Sequence, residues 1–277
     1  MIPARLFRAL FKKMESKKFL PRDEAKGEDS LGYTYNSLEE MWELELNGPQ
    51  IRSKQNWYSL GNQYWSNLDP TIASVLGGSD DIHEPDIQES SSFLDQIMSK
   101  FQVRPGKVLD CGAGIGRVTK FLLLDRFQEV EMLEQCEKFV EFSKDFVSNE
   151  KVKNRFCLGA QDFNSGAEYD LIWVQWVLSQ LTDEDLLVFL GKVKQALKPG
   201  GILVFKENIR QKGFIVHKDD FSVTRCEKVL KHAFEKAGLT VVEEKQQVNW
   251  PDDLLDLKMF ACLPTENLLT TNPHQYP

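Results

Sequence analysis

Three glycines at alternate positions, Gly112, Gly114 and Gly116, limit what this chain can fold into more than any other feature. The short run Val108, Leu109, Asp110 and Cys111 precedes them, and Val118, Phe121, Leu122 and Leu124 follow at helical spacing. Strand, tight turn and helix open a nucleotide-binding α/β unit, in which a ligand lies across the carboxyl ends of parallel strands. Glycine is needed there because the backbone takes positive φ or passes close to the ligand. A dinucleotide fingerprint, G-x-G-x-x-G, wants a third small residue where Arg117 stands, so the spacing argues against a dehydrogenase.

After this turn strands and helices alternate. Strands are expected at 129–133, 155–159, 169–174 and 202–205, with helices over 136–147, 182–197 and 224–237. The run from Leu171 to Val174 is apolar throughout, as a strand covered on both faces would be. Two last strands, 240–244 and 257–262, close the sheet, and 206–222 is read as a loop. Ahead of the glycines, helices are expected over 38–46, 57–65, 70–78 and 92–101, the first with Ser37 as N-cap and Glu40 as its partner. Residues 23–33 are read as loose and the polar stretch to Pro85 as a loop. The result is an α/β domain with a parallel core sheet, an antiparallel final strand and a helical N-terminal cap. The cap spans 37–101 and the core 102–264; residues 1–36 and 265–277 are expected to be disordered tails.

A net charge of −8 argues against a nucleic-acid partner, whose binding footprint is basic, and suits a cationic one. Five scattered cysteines without a C-x-x-C pair read as free thiols, and four histidines without ligand spacing give no reason to expect a metal. No apolar run approaches the ~20 residues of a membrane span, so no membrane partner is expected. Residues 1–22 are rich in Lys and Arg opposed by Glu15 alone, with Leu6, Phe7, Leu10 and Phe11 between them. That composition fits an amphipathic targeting peptide and, equally, a basic tail ahead of a second start at Met14. The expected location is cytoplasm or nucleus, with organelle import by 1–22 left open.

Asp110, two before the first glycine, completes D-x-G-x-G-x-G, which resembles the first motif of S-adenosylmethionine-dependent methyltransferases. A Rossmann-like, mostly parallel seven-stranded sheet is implied. On such a scaffold Gly112 and Gly114 approach the cofactor. Glu134, 24 residues beyond Asp110, would accept both ribose hydroxyls. Arg117 would hold the cofactor's carboxylate, Ala160 and Gln161 the adenine, and Gln175 would face the methionine part.

The likeness then narrows. Tyr64-Trp65, the run from Thr71 to Gly78, Gln161 to Phe163, the Trp-Val-Gln-Trp element at 173–176, Lys206 to Asn208 and Ser222 to Arg225 resemble the protein α-N-terminal methyltransferases. That family methylates the amino terminus of proteins beginning X-Pro-Lys. The resemblance implies Asp220 as base for the amine, Asn208 as a hold on the peptide carbonyl and Trp176 as an aromatic wall for proline. Tyr64, Trp65, Leu76 and Gly77 would close the peptide channel, with His217, Asp220 and Ser222 on its other side. Each residue alone also has a plain reading, as a core aromatic, a turn cap or a solvated loop acid.

Two departures stand out. Ser179 and Gln180 replace the Gly-His pair usual in the turn after Gln-Trp, so the second catalytic position, Gln180, carries a side chain that takes no proton. His217 stands where the family usually has an acid. The expected activity is methyl transfer to X-Pro-Lys-type protein N-termini by a monomer. The alternatives are a small-molecule or peptide N-methyltransferase and a pseudoenzyme that binds without turnover.

Overall fold

The computed structural model describes residues 26–164 and 166–270. The basic stretch 1–22, with both readings of it, lies outside the described residues. In chain order the strands are β1 (Gly27–Asp29), β2 (Thr34–Tyr35), β3 (Lys107–Cys111), β4 (Glu129–Glu134), β5 (Val152–Cys157) and β6 (Tyr169–Gln175). They continue as β7 (Leu197–Ile209), β8 (Phe214–His217), β9 (Ser222–Arg225), β10 (Leu239–Gln246) and β11 (Asp256–Pro264).

Seven of them form one sheet in the order β10-β11-β7-β6-β3-β4-β5. Strands β5, β4, β3, β6 and β7 run parallel, while β11 is antiparallel to both of its neighbours. Every residue of β6 is buried, as its central place between two helical layers requires. The chain steps outward from β3 to β4 and β5, then crosses back to β6 on the other side of β3. That reversal opens a crevice at the carboxyl ends of β3 and β6, where ligands of such sheets bind.

Local signals place the cap helices. Ser37 Oγ accepts the Glu40 N–H at 3.1 Å and starts helix Leu38–Asn47. The Glu40 carboxylate reaches back to the Asn36 N–H at 2.6 Å, one residue earlier than a capping box expects. Helix Lys54–Asn67 is capped by Ser53, and the short helix Ile72–Val75 by Thr71.

Four expectations are corrected. Residues 26–36, expected to belong to a loose tail, hold β1 and β2. The stretch read as a loop to Pro85 opens helix His83–Lys100, with the proline in the first turn, where its missing N–H costs nothing. The expected loop 206–222 contains β8, and with β9 it forms a hairpin; β2, β1, β8 and β9 make a second, four-stranded sheet. Residues Thr265–Thr270 form a helix rather than part of a disordered tail.

One buried carboxylate ties helix His83–Lys100 to the middle of the sheet. Asp86 is 0% exposed; it meets Lys206 Nζ at 2.7 Å and Arg117 Nη2 at 2.7 Å, and accepts the Gln175 amide at 2.9 Å. Lys206, also 0% exposed, donates further to Ser90 Oγ and Gln247 Oε1, both at 2.8 Å. Burial alone would raise the Asp86 pKa, but the two cations outweigh it and hold the carboxyl below its ordinary range. Removing one partner of such a pair leaves a buried charge short of compensation and costs about 3–5 kcal/mol. Lys206→Met should therefore lower unfolding free energy by about that amount in urea. A loss under about 1 kcal/mol would show that Arg117 alone suffices to hold Asp86.

Candidate active site

Gly112 and Gly114 follow β3 at φ +70° and +54°, in the left-handed region that suits glycine. A Cβ on Gly112 would strike Val177, whereas one on Gly114 would meet only Val75, at 3.7 Å. Gly114 thus faces open space: a cavity lies over the turn. Glu134, ending β4, fixes one wall by accepting the Gly114 N–H at 2.9 Å and the Cys136 N–H at 2.8 Å. Burial raises its pKa, and these backbone donors hold the rise back. Ala160, Gln161 and Gln175 line the same cavity.

A second cavity lies beyond it. Leu76, Gly77, Asn208, His217, Asp220 and Ser222 line it. The two spaces share Trp65, Val75, Trp176 and Gln180, which therefore form the junction. Trp176 carries φ +55°, uncommon outside glycine, and its indole N–H donates to Asn208 Oδ1 at 3.2 Å. Asp220 accepts the Ser222 hydroxyl at 2.7 Å. Burial pushes the Asp220 pKa up, with Ser222 and the charge of His217 opposing. His217 Nε2 lies 3.0 Å from Thr224 Oγ1.

Two sequence-selected residues line neither cavity. Tyr64 packs edge-on against Trp65 at 5.2 Å, near enough to Asp220 and Asp219 that burial, and then their charges, raise its pKa. Arg117 is buried with Asp86 and sits 5.6 Å from the Trp176 ring, behind the cavity wall.

A sequence profile of the family described as AdoMet dependent proline di-methyltransferase matches residues 53–263. The chain belongs to this methyltransferase family. The N-terminal Xaa-Pro-Lys N-methyltransferase 1 of Homo sapiens is 40% identical over 216 residues, covering 76% of this chain and 97% of its own. Alpha N-terminal protein methyltransferase 1 of Arabidopsis thaliana is 37% identical over 247 residues, covering 85% and 90% respectively. A SAM-dependent methyltransferase from Leishmania major superposes with TM-score 0.81 at 35% identity, over 89% of this chain and 99% of that one.

As a member of this family the chain takes S-adenosylmethionine, and the first cavity fits it. Gly114 leaves the turn uncovered, and Glu134 keeps lone pairs free beyond its two backbone bonds.

Four residues that hold the methyltransferase site together were given no role from sequence. Glu207, 2% exposed, accepts the Val177 and Leu178 N–H groups at 2.8 and 2.7 Å. Arg225, 1% exposed, donates to the Leu178 and Leu181 carbonyls at 3.1 and 2.7 Å and meets Asp183 at 2.7 Å. Trp57 donates its indole N–H to the Gln180 carbonyl at 3.0 Å. The turn bearing Gln180 is therefore clamped from three sides. Asp86, the fourth, sits in a polar stretch that carries no motif. Lys206 and Glu207, charged residues ending an apolar strand, were the one available signal.

Burial raises the Glu207 carboxyl to about pKa 7, against an ordinary 4.5. A raised folded pKa means stability that is full below the unfolded value and lost as pH climbs through the folded one. Glu207→Gln keeps an acceptor oxygen and cannot ionise. Its unfolding free energy relative to wild type should improve from about pH 5 to about pH 8. A difference that stays flat across that range would place the Glu207 titration elsewhere.

Proposed function

We propose that this methyltransferase modifies the α-amino group of proteins with an X-Pro-Lys-type N-terminus. The observation that carries the reading is the junction: the cofactor cavity and the cavity of Asp220 and Asn208 meet at Trp65, Val75, Trp176 and Gln180. The name of the human relative gives the same acceptor, and that of the Arabidopsis relative gives a protein α N-terminus. The net charge of −8 suits a basic protein tail better than a nucleic acid.

Bound S-adenosylmethionine supplies a methyl group on a sulfonium, open to attack by a neutral amine. An α-amine has a pKa of about 7.7–8.0, so near neutrality much of it is protonated and holds no free lone pair. The protein's task is to take that proton and orient the nitrogen. Asp220 is the acceptor, and the burial that raises its pKa makes it a stronger base than an exposed carboxylate. Asn208 holds the peptide, its carbonyl oxygen already fixed by the Trp176 indole. The Trp176 and Trp65 rings wall the space for a proline, which brings a rigid ring and no N–H to leave unpaired. Gln180 can hydrogen-bond at the junction but cannot accept the proton. Arg117 and Lys206 outnumber the one carboxylate they share, and the surplus positive charge lies behind the wall formed by Gln175 and Trp176. A cofactor carboxylate on that side would offset it.

Mass spectrometry of Ser-Pro-Lys and Ser-Ala-Lys peptides after incubation tests the acceptor. The proline peptide should gain methyl groups and the alanine peptide far fewer; equal rates would refute the reading. Cofactor binding without any product would mark a binding protein instead.

Asp220→Asn should remove most turnover and leave cofactor affinity nearly unchanged, because the lost interaction serves proton transfer. Gln180→His should raise the rate more near about pH 7 than near about pH 9, since an imidazole helps only while the amine is protonated. A wild-type rate flat over that range and indifferent to Asp220→Asn would mean the base lies elsewhere. Glu134→Ala should weaken cofactor binding by about 1–3 kcal/mol, read by calorimetry.

A further inference from the structure

Residues 26–52 lie ahead of the stretch matched by the family profile, which begins at 53. They nonetheless build half of the small sheet that carries the acceptor side of the site. Strand β1 runs parallel to β8, pairing Gly27 with Phe214 and Asp29 with Val216. The Ser30 N–H donates to the Val216 carbonyl at 2.8 Å, and Ser30 Oγ accepts the Lys218 N–H at 3.1 Å. Gly213 has φ +62°, and a Cβ there would collide with the Lys26 carbonyl, so the hairpin is shaped for this close approach.

The two faces of β8 divide the work. Phe214 and Val216, both 0% exposed, pack with Tyr35, Leu38, Met41 and Trp42 of the N-terminal segment. His217, on the opposite face, lines the acceptor cavity. Lys218 turns back to the N-terminal side. Its ammonium contacts Glu45 Oε1 and lies 3.5 Å from Asp29 Oδ2. The Tyr35 hydroxyl is 2.6 Å from Glu45 and 3.2 Å from Asp29. Two carboxylates that are 7% and 5% exposed thus share one ammonium and one phenol. Without the ammonium, like charges would remain buried side by side.

A second contact line reaches the same place. Trp42 packs edge-on against Trp57 at 5.0 Å, and Trp57 against Phe221 at 5.8 Å. Phe221 follows Asp220 directly and holds φ +57°. Trp57 also fixes the Gln180 carbonyl, and a Cβ on Gly61 would sit 3.4 Å from both Gln180 Oε1 and the Asp220 carbonyl.

We propose that residues 26–52 are a positioning element for the methyl-acceptor site, in which Lys218, clamped by Glu45 and Asp29, holds the β8–β9 hairpin so that Asp220 meets the acceptor at the Gln180 junction. This rests on the reading of the second cavity as the acceptor site. None of residues 26–52 lines the cofactor cavity, so the segment acts chiefly on the peptide.

The test uses the full chain with Lys218→Met, Lys218→Arg and Glu45→Gln. Three quantities are read: kinetics and calorimetric binding of a Ser-Pro-Lys peptide, cofactor affinity, and amide hydrogen exchange. Lys218→Met and Glu45→Gln should lower kcat/KM for the peptide by about 10- to 100-fold, the scale of a small misplacement, with cofactor affinity within about twofold. Lys218→Arg, which can meet both carboxylates, should restore most of it. Exchange should quicken in 214–217 and 222–225 and stay unchanged in 107–111 and 171–175. Unchanged peptide kinetics, or cofactor affinity falling in step with them, would overturn the proposal. If the wild type methylates no peptide but binds it, weaker peptide binding by Lys218→Met supports the clamp while the catalytic reading fails. A wild type that neither binds nor methylates the peptide sinks both.

Discussion

The structure depends on a single buried carboxylate. Asp86 comes from a helix of the N-terminal cap, yet its partners arise from the end of the glycine turn, from β6 and from β7. A carboxylate at 0% exposure is tolerable only when its charge is met by close, well-oriented donors. Four segments far apart in the chain are therefore drawn to one point. That point sits directly behind the junction of the two cavities, because Gln175 lines the first and Arg117 backs Trp176. Stability and site geometry are here the same interaction.

The site has a rigid half and an adapted half. On the cofactor side the backbone does most of the work, through the glycine turn and the N–H groups that Glu134 accepts. On the acceptor side the side chains decide. The turn carrying Gln180 is held by Glu207, Arg225 and Trp57 although Gln180 itself takes no proton. So firm a clamp keeps the position ordered although it carries an amide, which takes no proton. In the proposed reaction proton acceptance falls to Asp220, whose burial works in the direction that proposal needs.

Much of the architecture was legible in the residues. Alternating glycines, the wholly apolar β6 and the Ser37 cap each act over a few residues, through sterics, burial and hydrogen bonds that depend little on distant chain. The lining of the first cavity was legible for the same reason: Gly112, Gly114, Glu134 and Gln175 sit at strand ends, which the alternation of elements locates. The β8–β9 hairpin was not. Its strands are four residues each, and its edge pairs with β1, almost two hundred positions away in the chain. Helix His83–Lys100 began earlier than expected because its first turn is polar, and only burial of Asp86 and Ser90 makes that polarity an advantage.

The sequence by itself determined the α/β class, the glycine turn and the side chains available to line the second cavity. All three follow from periodicity and from residue types whose chemistry is local. The tertiary structure alone decided which charges are buried together. Asp86 with Lys206 and Arg117, and Lys218 with Glu45 and Asp29, are pairs whose meaning exists only once water is excluded around them. In the open chain each is an ordinary solvated ion. Folding removes the water, and the same groups then have to find one another.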